Sequence, residues 1–291
     1  MHRYLLHNDD IRDVSDKVLS PGQVGTLSGW GVFSTLHVTR GVLFAFERHF
    51  ARMQKDAAGL HVPFVMTPDA LRERLLRLVH ANGAEEASLR VAVVRNKGTM
   101  WEGPSIGRDS DLIAFTTDVN NWGASVRLGI IPHARHSEYM FSGAKINSWA
   151  QNLCWYEEAH HRGLDEVVLL NECDEVCECT SANIFAITGN RVWTPPLTSG
   201  CLPGVTREVI LNDLRVPGIE VAENTLLLND LEAADEVFIT STTRNILSVA
   251  EIEGLNIRQQ GGAVRERLQK AFAGFVDSYV AAQVVSQTAG G

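Results

Sequence analysis

The chain has 291 residues, a formal net charge of −9, 45% apolar and 21% charged side chains. That length suits about two domains, each with a core of its own, and the composition is that of an ordinary globular protein. The acidic balance argues against the basic face a nucleic-acid partner needs. No apolar run approaches the roughly 18 residues of a membrane span.

Residues 1–24 are polar and irregular, with room for a short strand at Tyr4-Leu5-Leu6. Gly25 to Val38 starts glycine-rich and becomes β-branched and aromatic, the pattern of a strand entered through a tight turn. Arg40-Gly41 is a hairpin turn into a second strand, Val42 to Phe46. Glu47 to Leu60 carries Phe50, Met53, Ala57 and Leu60 on one face of an amphipathic helix. Thr67-Pro68 caps a helix over Asp69 to Ala81, with Leu71, Leu75, Leu78 and Val79 aligned. Strands follow at Ala87 to Val94 and, after a glycine-rich loop, Leu112 to Thr117.

Hairpins dominate this half, so residues 1–118 are expected to form a small α+β domain. Residues 119–124, polar with a glycine, are the expected linker, and 125–291 a larger domain. Its expected elements are strands at Val126–Ile131, Glu166–Leu170, Asn183–Ile187, Arg191–Trp193 and Glu236–Thr240. Helices are expected at Ser148–Arg162, Thr206–Leu214 and Ala263–Ala282, with a frayed end after them.

Five cysteines, an odd number, and a first segment without a charged-then-apolar leader point to a reducing cytoplasm rather than a disulfide framework. Cys177-x-Cys179 has no second pair at zinc-finger spacing, so no metal is expected. Of the five lysines, Lys145 alone sits among small and apolar neighbours, Gly143-Ala144 before it and Ile146 and Trp149 after it. A desolvated lysine has a lowered pKa and attacks carbonyls well, although a lysine at a strand end can also simply snorkel to water. Glu178 lies in a stretch where an unpaired carboxylate would be costly, and a protonated ring nitrogen is a suitable partner for it. A surface glutamate on an edge strand is the plainer alternative. Leu202-Pro203-Gly204-Val205-Thr206 delivers backbone N–H groups to a helix start, which favours an anion. Ser241-Thr242-Thr243 offers hydroxyls at a strand end. Together a lysine, an acid and an anion-binding helix start suggest a covalently held, phosphate-bearing cofactor.

In this order, these residues resemble the fold-type IV, or class IV, pyridoxal-phosphate aminotransferases, the group of branched-chain and D-amino-acid aminotransferases and aminodeoxychorismate lyase. The resemblance runs from about Gly25 to Gly254. It implies a two-domain D-amino-acid-aminotransferase-like fold, α/β in the α+β sense, with a small first domain and a larger β-rich second domain surrounded by helices. It implies pyridoxal 5'-phosphate as cofactor and Lys145 as the Schiff-base lysine. Glu178 in Glu178-Cys179-Thr180-Ser181-Ala182-Asn183 matches the acid under the ring nitrogen. The helix Phe46-Glu47-Arg48-His49 implies a phosphate grip by Arg48, with Asn183, Leu202, Val205, Thr206, Ser241 and Thr242 completing the cofactor site. Small-molecule partners follow, an amino donor and an oxo-acid acceptor, and a homodimer is the family's usual assembly.

Substrate choice is expected in Trp30, Phe33, Arg90, Arg95 and Thr243. The run Thr194-Pro195-Pro196 through Thr206-Arg207 is very like branched-chain members, but their Tyr-x-Arg-Pro strand reads Ser88-Leu89-Arg90-Val91 here. Ser34 stands where the family usually has glutamate, and Asn147-Ser148-Trp149 where branched-chain enzymes have Gly-Asn-Tyr. The expectation is a transaminase for an apolar, branched-chain-like amino acid. The alternatives are 4-amino-4-deoxychorismate lyase and a D-amino-acid or amine transaminase.

Overall fold

The computed structural model describes residues 1–98, 107–258 and 262–289. They form two compact units. One holds Met1–Asn120, Ala144–Trp149 and Ser278–Gly291, and the other Asn121–Gly143 and Ala150–Asp277. The six residues around Lys145 therefore pack with the first unit, although their neighbours in sequence belong to the second.

The first unit contains β1 (Tyr4–His7), β2 (Asp10–Asp13), α1 (Val24–Ser28), β3 (Gly31–Thr39), β4 (Val42–Leu43), α2 (Phe46–Gly59), α3 (Pro68–Asn82), β5 (Ala87–Arg95) and β6 (Ser110–Thr117). Its sheet is antiparallel throughout, in the order β2-β1-β6-β5-β3-β4. Alternation along the strands sorts the side chains by face. Val32, Leu36 and Val38 of β3 and Leu89, Val91 and Val93 of β5 join the core with Phe46, Phe50 and Met53 of α2 and Leu71, Leu75 and Leu78 of α3. Each such aliphatic or aromatic side chain contributes roughly 1.5–3 kcal/mol by leaving water. The out-of-phase residues Phe33 and Arg90 fall on the opposite face, since Thr35 pairs with Arg90 and Phe33 with Ala92. The α3 helix starts where the sequence says: the Thr67 hydroxyl accepts from Ala70 N at 3.3 Å, and Gly83 ends it at a φ of 57°.

Two local expectations are corrected. The strand expected over Val42 to Phe46 stops at Leu43, because Ala45 takes a φ of 51° and its carbonyl receives the Arg48 and His49 N–H groups that open α2. Gly25, read as the turn into a strand, lies instead in the short helix α1. A Cβ there would lie 2.5 Å from the carbonyls of Trp30 and Arg95, so the glycine permits close backbone approach. The hairpin strand β2, too short and polar for a period-2 signal, was not expected. Most of the glycine-rich loop before β6 lies outside the described residues.

The second unit contains β7 (Ser125–Ile131), α4 (Ala150–His161), β8 (Glu166–Leu170), β9 (Val176–Cys179), β10 (Asn183–Thr188), β11 (Arg191–Thr194), α5 (Val205–Asn212), β12 (Glu220–Glu223), α6 (Leu228–Ala233), β13 (Glu236–Ser241), β14 (Asn245–Ile252) and α7 (Ala263–Ala289). The last residues of α7 belong to the first unit. Its mixed sheet runs β12-β11-β10-β13-β14-β7-β8-β9, parallel at β11/β12, β14/β7 and β7/β8. The strand β8 is buried on both faces, with Val168 and Leu170 in one core and Val167 and Leu169 packed with Ala159 of α4. Sequence periodicity did not resolve β9, β12, α6 or β14. The helix α4 begins at Ala150 rather than Ser148, whose hydroxyl donates to the carbonyls of Ser28 and Gly29. The helix α7 continues to Ala289, past the expected frayed end.

Candidate active site

The candidate residues form two groups, one in each unit. In the first, the Lys145 segment lies along the free edge at the start of β3. Val32 bridges Ile146, Phe33 N donates to Lys145 O at 3.1 Å, and Asn147 N donates to Gly31 O at 2.9 Å. Gly31 makes room here: a Cβ would lie 2.5 Å from the Asn147 side-chain Nδ2 and 2.5 Å from the Val93 carbonyl. The backbone N–H of Lys145 donates to the Asp56 carboxylate at 3.0 Å. Burial raises the Asp56 pKa against the opposing pull of that hydrogen bond and of Arg52, Lys55 and Lys145.

The side chain of Lys145 sits on an aromatic wall. Its Nζ is 4.7 Å from the Phe33 ring centroid, and the Arg90 guanidinium carbon is 3.8 Å from the same centroid. Burial lowers the Arg90 pKa. Trp149 meets Phe33 edge-on, with centroids 6.3 Å apart. Both cations therefore use the ring's negative face. Trp30 and Arg95 are tied into a different contact. Trp30 Nε1 donates to Leu60 O at 2.7 Å, and Arg95 stacks on the indole while donating to the carbonyls of Lys97 and His61.

On α2, Arg48 is half-buried in the first turn, and Arg52, one turn on, is buried. Arg52 donates to the Ser34 hydroxyl at 2.9 Å, and that hydroxyl lies 2.8 Å from His49 Nδ1. Burial, then the charges of Arg52 and Lys145, hold the His49 pKa well below its ordinary value. Arg52 and Asp56 were not singled out in the sequence. The spacing His49, Arg52, Asp56 puts three polar residues on one helical face, a signal hidden by the apolar residues between them.

In the second unit, Glu178 on β9 is nearly buried and accepts from Leu202 N at 2.9 Å. Arg135 approaches its other oxygen at 3.4 Å and donates to Asn152 Oδ1 at 3.0 Å. Nothing in the sequence pairs Arg135 with an acid 43 residues away. The Leu202 peptide is held from both sides, because Asn183 Nδ2 donates to its carbonyl at 2.9 Å. Gly204 must follow: a Cβ there would be 2.0 Å from Asn183 Oδ1. The helix α5 then opens with no side-chain cap, so the first N–H groups at Val205 and buried Thr206 remain available to an anion. Ser241 ends β13 and Thr242 and Thr243 follow it in the turn to β14, with Ser241 Oγ 3.4 Å from Thr243 Oγ1. Burial raises the thiol pKa of Cys177 and Cys179, and pushes Cys201 up to about 12, so these are inert thiols.

The groups present suit pyridoxal phosphate: in the first unit an amine on an aromatic face and the buried Arg52 guanidinium, in the second a buried carboxylate, an uncapped helix start and a turn of hydroxyls. A family model, amino-transferase class IV, matches residues 31–252. A Methanocaldococcus jannaschii protein named provisionally as a branched-chain-amino-acid aminotransferase is 30% identical over 91% of this chain and 93% of its own. A Bacillus licheniformis D-alanine aminotransferase is 26% identical over 87% of this chain and 89% of its own. Among solved structures, an Escherichia coli branched-chain amino acid aminotransferase superimposes with a TM-score of 0.86 at 25% identity, covering 94% of each chain. The matched span takes in β3 and Lys145, Glu178, the start of α5 and the hydroxyl turn, and the chain belongs to the class IV amino-transferases, pyridoxal-phosphate-dependent enzymes.

Proposed function

We propose that the protein is a transaminase exchanging an amino group between an apolar, branched-chain-like amino acid and a 2-oxo acid. The observation that carries this reading is the placement of the Lys145 amine on the Phe33 ring, beside Trp149 and Arg90. Aromatic surface suits an apolar side chain, and a guanidinium suits a carboxylate.

Lys145 would hold pyridoxal phosphate covalently through Nζ. Glu178 would accept the ring nitrogen's proton in a hydrogen bond, with Leu202 N–H and Arg135 fixing the carboxylate. Val205 and Thr206 N–H, the hydroxyls of Ser241 and Thr242, and the α2 cations Arg48 and Arg52 are the groups offered to its phosphate. Of the two cations Arg52 is the buried one. Asn183 acts at one remove, by orienting the Leu202 peptide. When bound, the cofactor supplies the electron sink that makes a proton at the substrate Cα removable. The Lys145 amine takes that proton; Asp56 fixes the peptide from which the side chain springs, and the Phe33 ring lies against the amine. Thr243 and Arg90 are the residues offered to the substrate carboxylate. Arg95 is offered as the support of the Trp30 ring, over which it lies.

Lys145→Ala should lower turnover by at least about 10²–10⁴-fold, the loss typical of a missing general base. Borohydride should fix the cofactor's mass on the wild type and not on the variant. Fixation on the variant, or turnover near wild type, would reject the assignment. The donor is read by offering the aldehyde form L-Leu, D-Ala or an aryl amine in single turnover. Conversion to the amine form by L-Leu and not by D-Ala supports the present reading. The opposite result would place the chain with the D-alanine relative. Pyruvate release without an oxo-acid acceptor would mark a lyase.

A further inference from the structure

Behind the hydroxyl turn of the second unit lies a charged pair that the chemistry above leaves unused. Glu166, the first residue of β8, is fully buried, and the Arg244 side chain, between β13 and β14, is 3% exposed. Arg244 Nη2 lies 3.5 Å from Glu166 Oε2. Its Nη1 donates to the Ser181 hydroxyl at 2.9 Å and to the Ser181 carbonyl at 3.3 Å. The Ser181 hydroxyl donates in turn to Glu166 Oε2 at 2.6 Å. Glu166 Oε1 accepts from Val167 N, Thr180 N and Thr180 Oγ1 at 3.1, 3.2 and 2.5 Å. The guanidinium carbon also lies over Trp122, 3.9 Å from the ring centroid. Its own backbone N–H donates to Ser241 Oγ at 3.2 Å.

The network has two ends. One is the Ser241–Thr243 turn, to which Arg244 is covalently joined. The other is the segment after Glu178, since Thr180 accepts from Asn152, which accepts from Arg135, the partner of Glu178. A buried ion pair contributes little net stability, but a planar fork with three fixed acceptors sets geometry. We propose that Glu166 and Arg244 are positioning residues that hold the hydroxyl turn in register with the Glu178 strand, so that cofactor retention depends on a pair that touches no part of the cofactor. This rests on the reading that the turn binds the cofactor phosphate.

The test follows the absorption band of the holoenzyme during extended dilution, alongside its melting temperature. Arg244→Lys keeps the charge that compensates Glu166 but loses the fork. It should melt close to wild type and lose cofactor about tenfold faster or more, the scale of one weakened hydrogen bond to a charged group. The double variant Glu166→Gln/Arg244→Met removes both charges and should behave likewise. It serves if Arg244→Met alone fails to fold. Wild-type retention in Arg244→Lys, or in a stable double variant, would reduce the pair to charge compensation and overturn the proposal. Thr242→Val separates the two readings. If it sheds cofactor faster while Arg244→Lys does not, the pair alone is rejected. If it retains cofactor as wild type does, the phosphate reading fails and the pair's role falls with it.

Discussion

Lys145 is held at both ends by residues far from it in sequence. Its peptide N–H goes to Asp56 on α2, and its amine rests on Phe33 of β3. Sequence context was enough to separate it from the other four lysines, because its neighbours are small or apolar. The same context was silent about Asp56, Arg52 and His49, whose roles depend on which way one face of α2 points. His49 gives this face a measurable signature. Burial depresses its pKa well below 6.5 in the folded chain. Below pH about 6.5 the unfolded chain therefore binds a proton that the folded chain does not, and stability falls as pH drops through that window. Asp56 runs the other way: its raised pKa favours the folded state below 3.8, and that contribution fades as pH rises. His49→Gln should flatten the decline in urea-denaturation stability below pH 6.5. An unchanged slope would mean that another group carries the proton linkage.

Elements with a strong period were the legible ones. The helices α2 and α3 and the strand β5 lie within a residue or two of their expected bounds, because their apolar residues recur at the period of the element. Some short elements were not, although β1 and β11 were: β9 carries Glu178 with two cysteines and has no alternation to read. The start of α5 was legible as an anion-binding turn, yet the reason for its glycine was not. At Gly204 an added methyl group would collide with Asn183 Oδ1, the side chain that fixes Leu202. Gly204→Ala should cost about 1–3 kcal/mol, the usual range for overpacking, read as a lower urea midpoint at unchanged m-value. In an Asn183→Ala background the cost should shrink. Additivity of the two changes would show that the contact is not the source of the strain.

At the scale of the whole chain, the division into units does not follow the sequence. Residues 144–149 complete the first unit by covering the edge of β3 and filling the Asp56 acceptor, and its last segment comes from the end of α7. A fragment of residues 1–120 lacks both. It should unfold without the sharp transition expected of a complete domain and bind a hydrophobic dye, and adding a peptide spanning 144–149 should reduce the dye signal. A cooperative, dye-free fragment would show that the sheet and its two helices suffice. By itself the sequence determined the class of the protein, through an amine, an acid and a glycine-led helix start whose chemistry is local and whose order is fixed along the chain. Tertiary structure decided what those groups lean on. Asp56 under Lys145, Arg135 beside Glu178 and the Glu166–Arg244 pair behind the hydroxyl turn are contacts between distant elements. A buried charge finds its partner only after the backbone has chosen which faces are turned inward.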